Sequence, residues 1–152
     1  MMKLLLVLTI LGFPGAPPLT TNHLSMSTQA KATLTVDVSG VKERKGKLQV
    51  ALFNNAEGFP SDTEPFRAEA LDITADNALR VVFKDLPAGE YSVAAYHDEN
   101  GNGKLDKNLL GIPVEDYGFS NDTRGTRMSA PSFEETKLQI AGADATIQVE
   151  VR

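Results

Sequence analysis

From Ala32 onward, apolar residues recur at every second position and not every third or fourth. Leu34, Val36 and Val38 alternate with Thr33, Thr35 and Asp37, and Leu48, Val50 and Leu52 alternate with Lys47, Gln49 and Ala51. The beat returns at Leu79, Val81 and Phe83, then at Tyr91, Val93 and Ala95. It closes the chain at Thr136, Leu138 and Ile140 and at Ile147, Val149 and Val151. Successive side chains of an extended backbone point to opposite faces, so this pattern marks strands with one face on a core and one in water. Arg67 to Ile73 carries a weaker version and is a candidate seventh strand. Turn residues punctuate the runs at Gly40, Gly46, Asp76-Asn77, Pro87-Ala88-Gly89 and Gly142. No segment shows a long helical stripe, although Ser61 and Glu64 form a capping-box pattern that allows a helical turn or two before Arg67. About seven short antiparallel strands predict an all-β fold, a β-sandwich with one long ordered loop. Its expected core is Leu34, Val36, Leu48, Val50, Leu52, Val81, Phe83, Val93, Leu138, Ile147 and Val149.

The alternation has no counterpart before Ala32. Lys3 precedes an apolar run from Leu4 to Leu11, which Gly12, Phe13 and Pro14 break. A bilayer span needs about 18 or more apolar residues, so the run predicts a secretory signal and no transmembrane segment. Pro17 to Gln29 is polar and without period. Residues 1–30 are expected to be signal peptide and flexible spacer, and residues 31–152 a single domain. The rival reading, an apolar N-terminal strand, conflicts with Pro14, Pro17 and Pro18. The expected location is outside the cytoplasm, periplasmic or extracellular. The cleavage site stays open: Ala30-Lys31-Ala32 and Thr28-Gln29-Ala30 have suitable form but lie far from the apolar run, and Gly15-Ala16 is followed by Pro17.

Composition narrows the chemistry. The 152 residues include 15 Lys+Arg and 20 Asp+Glu, a net charge of −5. Such an acidic balance argues against nucleic-acid binding, which needs a basic face. The absence of Cys excludes disulfides, thiolate metal sites and thiol catalysis. Two His, His23 and His97, are too few for a multi-histidine metal site.

Residues 98–131 interrupt the strand pattern, and so long a connection is usually functional or disordered. Leu109, Leu110, Ile112, Val114, Tyr117 and Phe119 make its first half too apolar for a floppy linker, whereas Asn121 to Met128 is polar and expected to be more mobile. The segment Asp98 to Asp106 reads D-x-N-x-N-G-x-L-D. Calcium loops place side-chain oxygens at the first, third and fifth positions, a Gly at the sixth, a backbone carbonyl at the seventh and a further ligand at the ninth. Asp98, Asn100, Asn102, Gly103, the carbonyl of Lys104 and Asp106 fill those roles in order. Leu109 stands where the closing bidentate acid belongs, so any calcium site is weak unless Glu115 or Asp116 folds back to complete it. Two carboxylates turned together without a cation call for a raised pKa or another hydrogen-bond donor. A metal-free turn, in which Asp and Asn side chains cap backbone N–H groups, uses the same residues.

His97 falls at a strand end on the core face, suited either to fixing loop backbone or to acting as a general base opposite Glu115 or Tyr117. The stretch Gly111 to Asn121 reads as a packed loop, or as a rim in which Glu115, Tyr117, Ser120 and Asn121 contact a small polar molecule or glycan.

These residues carry a resemblance. Leu86-Pro87-Ala88-Gly89-Glu90-Tyr91, Tyr96 through Asp106, Gly111-Ile112-Pro113, Glu115 and Tyr117 through Asn121 together resemble the bacterial domain-of-unknown-function family DUF2141, over about residues 32–152. The resemblance implies an exported protein with one small domain and brings no established activity. The L-P-x-G-x-Y turn also resembles transthyretin-like and surface-repeat sandwiches, which implies an immunoglobulin-like or transthyretin-like architecture. The resulting expectation is an exported, non-enzymatic binding or envelope protein with a calcium-type loop. Its ligand set is Asp98, Asn100, Asn102, Lys104 and Asp106, and its binding residues are His97, Glu115, Tyr117, Ser120 and Asn121. A small periplasmic hydrolase or isomerase using His97 and Glu115 is the enzymatic alternative. A structural envelope protein that meets its partner through a sheet face is a third.

The leader makes a direct prediction. Mass spectrometry of the exported form should show a first residue between Ala16 and Thr33, and an exported protein still beginning at Met1 would refute the reading.

Overall fold

Burial in the computed structural model follows the period of two almost residue by residue. The structure describes residues 30–61, 64–75, 78–126 and 129–152. Residues 1–29 of the expected signal peptide and spacer, the Asp76-Asn77 turn and the end of the Asn121–Met128 stretch lie outside the described residues. Strand β1 (Ala32–Ser39) buries Ala32, Leu34, Val36 and Val38, and β2 (Lys47–Phe53) buries Leu48, Val50 and Leu52. The edge strand β3 (Arg67–Asp72) is mostly exposed and carries Arg67, Glu69 and Asp72, charges that blunt a free edge. Strand β4 (Arg80–Leu86) buries Val81, Phe83 and Leu86, and β5 (Gly89–Asp98) turns Tyr91, Val93, Ala95 and His97 inward. Three further strands complete the set: the short β6 (Tyr117–Phe119) and β7 (Leu138–Ile140), and β8 (Ala145–Glu150).

The strands form two sheets. One has the order β4-β1-β8, and the other β3-β2-β5-β6, with β7 also pairing β5. Every pair is antiparallel except β1 with β8, which run parallel from Leu34 opposite Ala145 to Ser39 opposite Glu150. The all-β fold therefore stands, while the wholly antiparallel expectation is corrected. A period of two reports faces and is blind to strand direction. The expected core residues pack between the sheets, but Leu138 and Ile147 are only partly buried because β7 is a short side piece and β8 a sheet edge.

A second apolar layer covers the outer face of the larger sheet. Phe59 meets Phe53, Phe119 and Phe133 edge-on, with ring centroids 5.0, 6.0 and 5.8 Å apart. Phe133 lies on the single turn α1 (Phe133–Thr136). Ser132 caps that turn by accepting the Glu135 N–H, while the Glu135 carboxylate accepts the Ser132 N–H. The capping box thus forms at Ser132–Glu135. Glu64 is non-helical, and Asp62 and Thr63 lie outside the described residues. Thr136, expected at the head of a strand, ends this helical turn, and its hydroxyl meets that of Ser92 at 2.6 Å.

Two details tie the layers together. Strand β5 exchanges β7 for β6 as its neighbour between Tyr91 and Ala94, and the Ser120 hydroxyl accepts the Val93 N–H there at 2.9 Å. The same hydroxyl donates to the Thr136 carbonyl at 2.6 Å. At the end of β8, the Val151 N–H donates to Ser39 in one sheet and the Arg152 N–H to Tyr117 in the other. This approach is so close that a Cβ on Gly118 would lie 2.2 Å from the Glu150 carbonyl oxygen.

Phe83 is among the largest fully enclosed side chains. Phe83→Ala should cost about 3–5 kcal/mol in chemical denaturation through lost burial and a cavity. A loss under about 1 kcal/mol would contradict the assigned face.

Candidate functional site

Strand parity sends His97 inward and Asp98 outward, and the loop begins where β5 ends. Gly101 and Gly103 take φ of +72° and +76°, a left-handed backbone that side chains disfavour, and this folds the chain back over Asp98. Asp98 has no exposed surface. Its Oδ1 accepts the Asn102 N–H at 3.0 Å, and its Oδ2 accepts the Gly103 N–H at 2.8 Å and the Gln49 Nε2–H at 3.1 Å. Asn100 Oδ1 also accepts the Asn102 N–H, and Asn102 Oδ1 accepts the Lys104 N–H at 2.8 Å. Both amide groups then donate to Asp106, at 2.6 and 3.0 Å. Asn100, Asn102 and Asp106 thus converge, with Asp98 bracing the loop backbone.

Burial alone would raise the Asp98 pKa. Hydrogen bonds from Gln49 and from the amides of Gly103, Asn102 and Gly101 outweigh it and hold the carboxyl below its ordinary value. Of the two ways to relieve paired carboxylates, the structure uses the donors. Tyr96, on the same outer face, has its phenol pushed up to about 12 by burial and by the charges of Asp98 and Glu115.

Glu115 is buried and closes the loop. Its Oε1 accepts the Glu99 N–H and its Oε2 the Asp106 N–H, both at 3.0 Å. Asp116 pairs with Lys42 at 2.8 Å. Both acids are therefore engaged away from the Asn100–Asp106 cluster, and Leu109, in the closing position, is fully exposed. Among the described residues no group of three or more His, Cys, Asp or Glu is placed to hold a metal, so a cation here would depend on asparagine and backbone oxygens.

Four of the five residues expected to contact a ligand are engaged with backbone groups. His97 is 1% exposed; its Nε2 donates to the Lys45 carbonyl at 2.8 Å, and its Nδ1 has no hydrogen-bond partner. The ring anchors the turn before β2, while the Glu115 oxygens serve backbone amides. Ser120 is fully buried as the patch on β5, and Asn121, at φ +60°, donates to the Lys137 carbonyl at 2.9 Å. Tyr117, half-buried and edge-on to Phe119 at 5.9 Å, is the member of the set that lines a cleft.

That cleft, of about 540 Å³, was not legible in the sequence. Leu105, Ile112, Pro113 and Ala130 join Tyr117 and Phe119 along its walls. The apolar residues scattered through the loop were its one signal. Above it, Asn108 Oδ1 accepts the N–H groups of Leu110 and Ile112, making a hydrogen-bonded tip on which Leu109 and Leu110 are 106% and 83% exposed. Among the described residues no helix is long and apolar enough to cross a membrane.

The sequence pattern of one bacterial family, described as uncharacterized proteins conserved in bacteria (DUF2141), matches residues 36–148. No curated protein and no solved structure matches the chain.

The lowered pKa of Asp98 fixes the sign of an acid response. A carboxylate depressed on folding contributes stability above its unfolded value of about 3.9, and that contribution is lost as pH falls through the folded value. Asp98→Asn should therefore unfold more easily at neutral pH and lose less additional stability than wild type between about pH 4 and pH 2. Parallel acid limbs in denaturation series would remove Asp98 as the buried anion that organises the loop.

Proposed function

The chain belongs to the DUF2141 family of uncharacterized bacterial proteins, and from that premise we propose that it is an exported, non-enzymatic binding module whose Asp98–Asp106 loop takes up calcium weakly. The supporting observation is the convergence of Asn100, Asn102 and Asp106 above Asp98. A hard cation at that point would draw oxygen ligands from Asp106 and from asparagine carbonyls turned toward it, with the Lys104 carbonyl as a further ligand. Two carboxylates and no closing acid give a low charge count, which suits dissociation constants of about 10⁻⁴–10⁻³ M. The apolar leader run behind Lys3 supports export.

The catalytic alternative has less behind it. The His97 ring is enclosed and bonded to backbone, and both oxygens of Glu115 serve amides. Neither presents a free group to the cleft.

Calcium that binds the folded chain raises its stability by mass action, about 1.4 kcal/mol when free calcium is ten times the dissociation constant. The melting temperature should rise in millimolar calcium and rise less in magnesium, which dehydrates reluctantly. Asp106→Asn should remove most of the rise, and Asp98→Asn should do so from a lower starting point. An unchanged melting curve at about 10 mM calcium would leave a metal-free Asx turn whose task is to shape the loop.

A further inference from the structure

We propose that the cleft between the loop at residues 105–113 and the residues Thr126, Ser129 and Ala130 binds a monomeric amphipathic anion, an aliphatic body of medium length ending in a carboxylate. This deepens the binding-module reading and rests on it, but it does not require calcium.

Three observations carry the proposal. The cavity of about 540 Å³ falls within the range of small-molecule sites, about 300–1,000 Å³. Its lining is chiefly apolar: Leu105, Ile112, Pro113 and Ala130 with the rings of Tyr117 and Phe119. An exposed wall of this kind loses water favourably to an apolar ligand. The polarity that remains has one sign. Among the described lining residues Lys107 is the sole charged group and none is an acid, although acids outnumber bases in the chain. The exposed Lys107 ammonium has no ion pair among the described residues, like Lys84 and Lys104, which are not among the lining residues. An apolar slot with one unpaired cation at its lip is complementary to a tail and an anionic head.

The wall is also preformed, which lowers the cost of ordering it on binding. Lys107 and Pro113 form a β-bridge, the Asn108 N–H donates to Ile112 at 2.8 Å, and the Val114 N–H donates to Asp106 at 2.9 Å. Ser61 adds a neutral hydroxyl to the lining.

The test uses the full exported chain in EDTA, so that calcium plays no part, with decanoate below its micellar concentration as the probe. Calorimetric titration should show saturable binding at one site. Lys107→Glu should weaken decanoate at least about tenfold while leaving the weaker binding of neutral decanol unchanged, and Ile112→Asp should abolish both. Circular dichroism of each variant confirms that the sheets remain. Absence of saturable decanoate binding would overturn the proposal, as would decanoate affinity unchanged in a folded Lys107→Glu protein. Cosedimentation with anionic phospholipid vesicles without binding of free decanoate would also overturn it, by assigning the surface to a bilayer. A calcium-dependent melting shift with no decanoate binding would remove this inference and leave the calcium reading standing.

Discussion

The Asp98 carboxylate lies without solvent contact at the end of the longest strand, and a charge in that position must be met by donors or neutralised. N–H groups meet it: one from Gln49 on the neighbouring strand, and the amides of Gly101, Asn102 and Gly103 from the loop that Asp98 itself begins. The anion thus fixes the last register of β2 against β5 and the curvature of the loop in one interaction. Much else follows from that placement. Lys47 and Asp98 are opposite each other in the ladder, and the turn before β2 comes so close that a Cβ on Gly46 would sit 2.2 Å from the Asp98 carbonyl oxygen. His97, one residue earlier and on the opposite face, clamps that turn through the Lys45 carbonyl.

Glu115 extends the same logic. Its two oxygens take amides from both limbs of the loop, so the segment from Glu99 to Glu115 closes on a second buried carboxylate. The exposed chain between them is stiffened by Asx turns at Asn100, Asn102 and Asn108. A rigid loop on a rigid sheet can line a cleft without paying for ordering when something enters it.

The period-two pattern made the two-layer fold and most of its core readable, because burial acts residue by residue on an extended chain. Strand direction was not readable, since parallel and antiparallel pairs bury the same faces; hence β8 beside β1 was missed. Strand β6 was hidden because three residues around Gly118 are too few to show a period. Thr136 was misplaced because the Ser132–Glu135 capping box is a local hydrogen-bonding device that overrode the alternation. At the site, the D-x-N-x-N-G-x-L-D spacing located the loop and its converging groups. It could not reveal that Ser120 serves Val93 or that Glu115 serves two amides, for those roles depend on which strands become neighbours.

The parallel pairing of the first and last strands has a bearing on the order of events during synthesis. Leu34 waits for Ala145, and the Thr33 N–H waits for the carboxylate of Asp144, 111 residues further on. Contacts of such separation slow folding, because the whole intervening chain must be gathered before they form. Until β8 emerges from the ribosome, β1 keeps an open edge and Gly118 has no carbonyl to press against. The domain therefore stays short of its native state until β8 has been made, and completion of the small sheet is the step that seals it.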